Sequence, residues 1–140
     1  MKKCCFTVDG FQGWQRPGVR YIGRHATIYT PNKTRGFEKR VGDAYREAGG
    51  VLLEKPIPVM VSILVFYGVP KSASKKRRAE MLEQRTRPTK KPDIDNVAKC
   101  VLDGLNKVAY EDDSQVVTLE VRKYWSEEDH VEIHVLDRTP

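Results

Sequence analysis

The chain has 140 residues and a mass of 16.1 kDa, a length that fits one typical domain and excludes two substantial ones. Hydrophobic residues make up 39% and charged residues 31%, and no apolar run approaches the roughly 20 residues of a membrane span. The formal net charge is +6, and the basic N-terminus turns polar at Asp9 before a signal-peptide core could form, so we expect a single cytoplasmic domain over residues 1–140.

The N-terminal part of the chain predicts two strands and a helix. Apolar stretches at residues 3–8 and 26–30 are strand-like and are separated by a glycine-rich loop. Phe37, Val41 and Tyr45 then recur at helical spacing, which predicts an amphipathic helix over residues 34–48. The run 57–66 is the most apolar and is β-branched, so it should form a central, buried strand.

A basic segment follows. The segment from Lys71 to Lys91 contains nine basic residues and only two acidic ones, Glu80 and Glu83. Its local charge of +7 exceeds the net charge of the whole chain. Such a surface is typical of proteins that bind a polyanion, and a solvated, disordered basic segment is the alternative. Residues 73–84 within it are compatible with a helix but have little apolar surface, so we expect them to be exposed and partly mobile.

Helical periodicity returns at Asp95 and ends near Val108, with one apolar stripe facing the core. A second stripe alternates acid and base at four-residue steps, the spacing of helix ion pairs: Asp95, Lys99, Asp103 and Lys107. Residues 115–125 and 130–136 alternate apolar and polar and predict two strands around a turn. The predicted class is α/β (α+β), with two main helices and the order ββα-β-(basic segment)-αββ.

Carboxylates are concentrated at both ends of this second helix. Pro92 disfavours helical backbone at Lys91, so Asp93 and Asp95 lie where an extended segment enters the helix. Helix capping explains one aspartate more easily than two. If the helix packs back on the sheet, Asp113 of the loop after it returns toward the same corner. Three clustered carboxylates are stable mainly around a cation, and oxygen ligands favour Mg²⁺ or Mn²⁺.

The three cysteines do not predict a disulfide framework or a zinc motif. Cys4 and Cys5 are neighbours, and neither a C-x-x-C nor an H-E-x-x-H spacing is present. His130 and His134 are about 13 Å apart if they lie on a strand, too far to share a metal ion. We therefore expect reduced thiols packed as small apolar side chains.

Three segments resemble the RusA family of four-way (Holliday) junction resolvases, in its phage-type branch. Residues 91–99 read KPDIDNVAK, residues 101–106 read VLDGLN, and residues 110–117 read YEDDSQVV. These follow the core pattern of that family in order and spacing. Residues 15–17 and 29–35 resemble the opening of the phage proteins, although Gly18 stands where those proteins often have arginine.

The resemblance implies a mixed sheet, a homodimer and a Mg²⁺-dependent endonuclease (Mn²⁺ as the alternative) that nicks branched DNA in a prokaryotic or phage-infected cell. It assigns catalytic roles to Asp93, Asp95, Asp113 and Lys99, with the three aspartates as metal ligands. Asp112 and Gln115 would support them. Candidate DNA-binding residues are Lys75, Lys76, Arg77, Arg78, Lys90, Lys91 and Arg16.

Two other functions are compatible with the residues. In the first, the chain is a DNA-binding module without catalytic activity, whose acids cap helices and pair with Lys99 and Lys107. In the second, Asp93 and Asp95 hold a sugar nucleotide or diphosphate through a metal ion, but no nucleotide-binding glycine motif accompanies them.

Overall fold

The computed structural model describes residues 2–140. Its elements are β1 (Lys3–Asp9), β2 (Gly18–Ile22), β3 (His25–Tyr29), α1 (Asn32–Glu47), β4 (Val59–Gly68), α2 (Lys75–Leu82), α3 (Ile94–Leu105), a 3₁₀ turn (Asp113–Gln115), β5 (Val116–Ser126) and β6 (His130–Asp137). The α/β (α+β) class is confirmed. None of the helices in this described part is long and apolar enough to cross a membrane.

The main sheet has four strands in the order β1-β6-β4-β5. It is mixed, as the resemblance implies, because β4 pairs parallel with β5 and antiparallel with β6. The predicted central strand is confirmed: β4 lies inside the sheet, and its residues alternate between buried and half-buried. Although β5 and β6 follow each other in the chain, β4 separates them, so the turn between them does not close a hairpin.

A small hairpin of β2 and β3 stands apart from the main sheet. The sequence predicted β3 but assigned β2 to a loop, and that assignment is wrong. Val19, Tyr21 and Ile22 have high strand propensity, and Gly23, with a φ of 61°, allows the tight turn that pairs Ile22 with His25. Pairing with β3 satisfies the backbone groups of β2 on the side facing β3, although the β2 side chains remain mostly exposed.

One face of the main sheet is covered by α1 and α3, whose buried stripes join the sheet in a single core. The two helices approach closely at Gly104, where a Cβ atom would lie 2.7 Å from the carbonyl oxygen of Glu38. Only glycine fits there. Along β4, buried residues point toward the core under α1 and α3, and the half-buried residues between them point to the opposite face of the sheet.

The basic segment contains α2, which is exposed for most of its length, as expected. The C-terminal end of α2 is nevertheless anchored, because Met81 is buried in the core. Just beyond the helix, Gln84 donates a 2.8 Å hydrogen bond to the carbonyl of Trp125 and accepts one of 3.0 Å from its N–H. These hydrogen bonds tie the end of α2 to β5.

Candidate active site

The N-terminus of α3 presents two exposed aspartates. Asp93 is the N-cap residue, with extended backbone (φ −69°, ψ 151°), but its side chain makes no capping hydrogen bond. Asp95 lies in the first helical turn. Capping therefore does not account for the Asp93 carboxylate, which stays available for other contacts. Its charge and that of Asp95 lie at the positive end of the helix dipole, which favours anions.

Two sets of contacts hold the corner where the extended segment ending at Pro92 enters α3. The Tyr67 hydroxyl, at the end of β4, donates a 2.6 Å hydrogen bond to the carbonyl of Pro92. Burial, with the carboxylates of Asp129 and Asp93, raises the pKa of Tyr67 to about 12, so the hydroxyl remains protonated as the donor. The corner is therefore fixed to the sheet immediately before Asp93.

The loop between β1 and β2 provides the second set of contacts. The backbone N–H of Trp14 donates a 3.0 Å hydrogen bond to the carbonyl of Asn96. Gly13 packs so closely that a Cβ atom on it would lie 2.7 Å from the Cβ of Pro92. A cleft of about 390 Å³ between this loop and α3 is lined in part by Lys91 and Asp93. Arg16 is exposed farther along the same loop.

Lys99 faces this loop from the next turn of α3. Its Nζ lies 3.9 Å from the centroid of the Trp14 ring, a cation–π contact. Within residues 2–140 Lys99 forms no ion pair of 4 Å or less, so the helix ion pair with Asp95 that its spacing allows is absent. Trp14 was not predicted as a neighbour of Lys99, because the two residues are distant in the chain.

The loop after α3 distinguishes the two neighbouring aspartates. Asp112 caps the 3₁₀ turn by accepting a 3.1 Å hydrogen bond from the Ser114 N–H, and hydrogen bonding from Ser114 lowers the pKa of Asp112. Gln115 is buried, and its amide oxygen accepts hydrogen bonds from the N–H groups of Glu111 and Asp112. Asp112 and Gln115 thus shape the loop. Asp113 is exposed, and no hydrogen bond in the described chain engages its carboxylate.

The expected convergence of three carboxylates is not seen. In the described residues the oxygens of Asp93, Asp95 and Asp113 do not all lie within 4.8 Å of one another. The Asp113 charge instead acts on Asp103: burial raises the pKa of Asp103, Lys99 partly opposes this, and the Asp113 charge raises it further. Since Asp95 and Asp103 are about 12 Å apart along the helix, the acidic surface extends along α3. Asp103 was predicted only as an ion-pair partner.

Apart from Arg16, the cations predicted to bind DNA fall into two groups. Lys90 and Lys91 are exposed beside the corner, and the Lys90 ammonium lies 5.7 Å from the Trp125 ring. The other group is on α2: Lys75, Lys76 and Arg77 are exposed in its first turn. Arg78 is paired with Glu127 in the turn before β6.

A second cleft, of about 500 Å³, adds cations that were not among the predicted site residues. It separates residues 87–89 from β5 and is bordered by Asp93, Arg87 and Lys123. Arg87 stacks 4.1 Å from the Tyr124 ring, and Lys123 donates a 2.9 Å hydrogen bond to the carbonyl of Lys90. In the sequence, Lys123 occupies a position of β5 where the alternation of apolar and polar residues predicts an apolar one. This was the signal that could have identified Lys123 as a site residue. Asp93 therefore lies between two clefts bordered by positive charge.

The donors at the acidic surface fit a hard cation. Asp93, Asp95 and Asp113 supply carboxylate oxygens without thiol or imidazole groups, as Mg²⁺ and Mn²⁺ prefer. Their carboxylates are exposed and are not used in capping, so they are free to turn toward a common ion. The chemistry of the donor set fits, and binding would require the side chains to draw together.

Unengaged carboxylates, a lysine and basic clefts at one helix are features that a nucleic-acid-processing enzyme needs to hold a metal ion and a phosphate backbone. A model of the family described as "Endodeoxyribonuclease RusA" matches residues 12–136. The chain belongs to the RusA family of endodeoxyribonucleases.

Two similar proteins accompany this match. The chain is 34% identical over 124 residues to the "Crossover junction endodeoxyribonuclease rusA" of Lactococcus phage r1t, covering 88% of this chain and 87% of that protein. It is 46% identical over 80 residues to "Uncharacterized protein YqaN" of Bacillus subtilis (strain 168), where the match spans 56% of each protein.

Proposed function

We propose that this chain is a Mg²⁺-dependent, structure-selective endonuclease that resolves four-way DNA junctions by paired symmetric nicks, in recombination, repair or phage DNA processing in the cytoplasm of a prokaryotic or infected cell. The observation that carries the proposal is the set of unengaged carboxylates of Asp93, Asp95 and Asp113 beside Lys99 and the basic clefts. Membership of the RusA family and the name of the phage r1t relative support the substrate.

In this proposal Asp93, Asp95 and Asp113 hold Mg²⁺, with Mn²⁺ as an alternative. When bound, the ion supplies an activated water and stabilises charge on the phosphate. Asp112 keeps its hydrogen bond to Ser114, and Gln115 holds the loop that carries Asp113. The two neighbouring aspartates therefore have different roles, one in the fold of the loop and one in the reaction.

Lys99 contacts the scissile phosphate. The Trp14 ring limits the freedom of its ammonium group and leaves its N–H donors available, because a cation–π contact uses no hydrogen-bond acceptor. Lys99 is one helical turn from Asp95 on the same face of α3. A phosphate held near the aspartates would thus be within reach of the lysine.

The DNA backbone lies along Lys90 and Lys91 and extends toward Lys75, Lys76 and Arg77, with Arg16 and Arg78 at its margins. Removing one lysine that binds a phosphate should reduce the slope of log K against log salt by about 1. We expect the Lys90→Ala/Lys91→Ala variant to bind junctions with a smaller slope. Lys39→Ala/Arg46→Ala, on exposed positions of α1, removes the same charge and should leave the slope unchanged.

Paired nicks on two strands require two active sites, and we propose a homodimer. Sedimentation equilibrium should give twice the chain mass at micromolar concentration. A monomer that nevertheless makes symmetric nicks would refute the dimer and leave the nuclease activity standing.

The central experiment compares a labelled four-way junction with a linear duplex of the same sequence, first with Mg²⁺ and then with EDTA. Symmetric nicks on the junction alone, abolished by EDTA, are expected. Binding without any metal-dependent cleavage would refute the proposal and favour a DNA-binding module. Cleavage of both DNAs at equal rates would refute junction selectivity.

The neighbouring aspartates provide a matched pair of variants. Asp113→Asn should abolish cleavage and leave junction binding intact. Asp112→Asn should retain most activity, because an asparagine oxygen can still accept the hydrogen bond from Ser114. Asp93→Asn should behave like Asp113→Asn. Equal activity of the Asp112 and Asp113 variants would contradict the assignment.

A further inference from the structure

Three metal-ligating side chains meet on the face of the sheet that α1 and α3 do not cover. Cys5 of β1 stands directly opposite His134 of β6 in the strand register. Glu132 lies two residues before His134, and residues at this spacing on a strand share a face. Their neighbours Phe6, Ile133 and Val135 point the other way, into the core. Two paired strands therefore fix the positions of all three side chains.

The donor atoms are already close together. Cys5 Sγ lies 3.5 Å from His134 Nε2 and 3.9 Å from Glu132 Oε1, and these last two atoms are 3.7 Å apart. Tetrahedral zinc, with bonds of about 2.3 Å to sulfur and about 2.0 Å to nitrogen or oxygen, separates its ligand atoms by about 3.3 to 3.5 Å. Small side-chain rotations would reach these separations.

We propose that Cys5, Glu132 and His134 form a zinc site with three protein ligands and water in the fourth position. Sulfur, imidazole nitrogen and carboxylate oxygen together favour Zn²⁺ over Mg²⁺, which takes oxygen ligands. Within residues 2–140 this is the one set of three or more His, Cys, Asp or Glu side chains whose donor atoms lie mutually within 4.8 Å. Its ligands come from two strands that are paired in the sheet but far apart in the sequence, so no contiguous zinc motif marks it.

Binding is balanced in charge. The Cys5 thiol releases its proton to solvent as the thiolate–zinc bond forms, His134 binds through neutral Nε2, and Glu132 binds through its carboxylate. A thiolate and a carboxylate neutralise the two charges of the ion. Since β1 lies at the edge of the sheet and, among the strands of residues 2–140, pairs with β6 alone, zinc would cross-link this edge strand to its neighbour. The site lies across the sheet from α3 and does not depend on the proposed nuclease activity.

Metal analysis tests the site in the full chain. After dialysis against Zn²⁺ with excess Mg²⁺, the wild type should retain one zinc that Cys5→Ser and His134→Ala lose. Cys4→Ser and His130→Ala are matched controls on the same strands and should keep it. Asp113→Asn should also keep it, which separates this site from the acidic surface. Zinc retained by Cys5→Ser, or absent equally from Cys4→Ser, would overturn the proposal.

Thiol modification gives a second readout that needs no variant. Cys5 is exposed, and after iodoacetamide treatment the fragment ions of tandem mass spectrometry report its alkylation separately from that of the adjacent Cys4. Zinc should slow alkylation of Cys5 by about tenfold or more, and EDTA should restore it, because the metal occupies the nucleophilic thiolate. Cys4 should react at the same rate in both states. An unchanged rate at Cys5 with saturating zinc would refute the site.

Discussion

Replacing Gln115 by alanine tests whether one buried amide positions the acidic loop. The Gln115 Nε2 donates hydrogen bonds to the carbonyls of Leu53 (2.9 Å) and Ile57 (3.1 Å). Its Oε1 accepts bonds from the N–H groups of Glu111 (2.9 Å) and Asp112 (3.1 Å). Gln115→Ala would leave four backbone groups without these partners.

The expected destabilisation follows from the burial of those groups. A buried polar group left unpaired costs about 1 to 3 kcal/mol. Leu53 is buried, whereas Glu111 and Asp112 are half-buried and regain water, so we expect the free energy of unfolding to fall by about 2 to 4 kcal/mol in total. For a domain of this size the melting temperature should then fall by about 6 to 16 °C.

Calorimetry measures this destabilisation, with Gln15→Ala as the control. Gln15 is exposed and accepts one side-chain hydrogen bond, from the buried Thr34 hydroxyl at 3.1 Å, so Gln15→Ala leaves one buried group unpaired and should lower the melting temperature less than Gln115→Ala. Cleavage by Gln115→Ala, measured well below its melting temperature, should also fall because the Asp113 loop loses its anchor. A melting temperature equal to that of Gln15→Ala would refute the reasoning.

Three further predictions concern α1, α3 and the loop beside them. Gly104→Ala should lower the free energy of unfolding by about 1 to 3 kcal/mol, because the new Cβ would collide with the backbone of α1. Gly36→Ala has open space around the new Cβ and should raise the free energy of unfolding by about 0.5 to 1 kcal/mol. Urea titration measures both changes. Because burial and Asp113 raise the pKa of Asp103, its charge destabilises the fold above the ordinary carboxyl pKa. Asp103→Asn should therefore melt higher than the wild type at pH 7, a difference that disappears below about pH 4. Trp14→Ala should slow cleavage by about two- to fivefold because it removes the ring that lies 3.9 Å from the Lys99 ammonium, and Trp14→Phe should recover most of the rate in single-turnover assays.

The elements with strong periodicity were predictable from the sequence. The apolar run at 57–66 became β4, and the helical stripes became α1 and α3 within a few residues. β2 was missed because glycine and proline flank its few strand-forming residues. The insertion of β6 between β1 and β4 could not be predicted, since it depends on pairing between segments far apart in the chain.

The candidate site, like the fold, was predictable where it depends on local sequence and unpredictable where it depends on tertiary structure. The aspartates at the start of α3 were found from local spacing, because a helix N-terminus is a local feature. Effects that depend on tertiary structure were not found: the Trp14 ring beside Lys99, and the Asp113 charge acting on Asp103. The expectation that the cysteines pack as apolar side chains is wrong for Cys5, which is exposed beside His134. Strand register, which the sequence does not specify, creates that neighbour.

The pairing of β1 with β6 has a consequence for how the chain folds. Lys3 pairs with Leu136, so β1 has no neighbour in the sheet until β6, the last strand, has formed. Closing such a long loop is slow, and contacts of this kind are typical of domains with high contact order and slow folding. Until β6 docks, β1 and one side of β4 are open strand edges, a template for aggregation. The last strand thus completes the sheet and also ends its most vulnerable period.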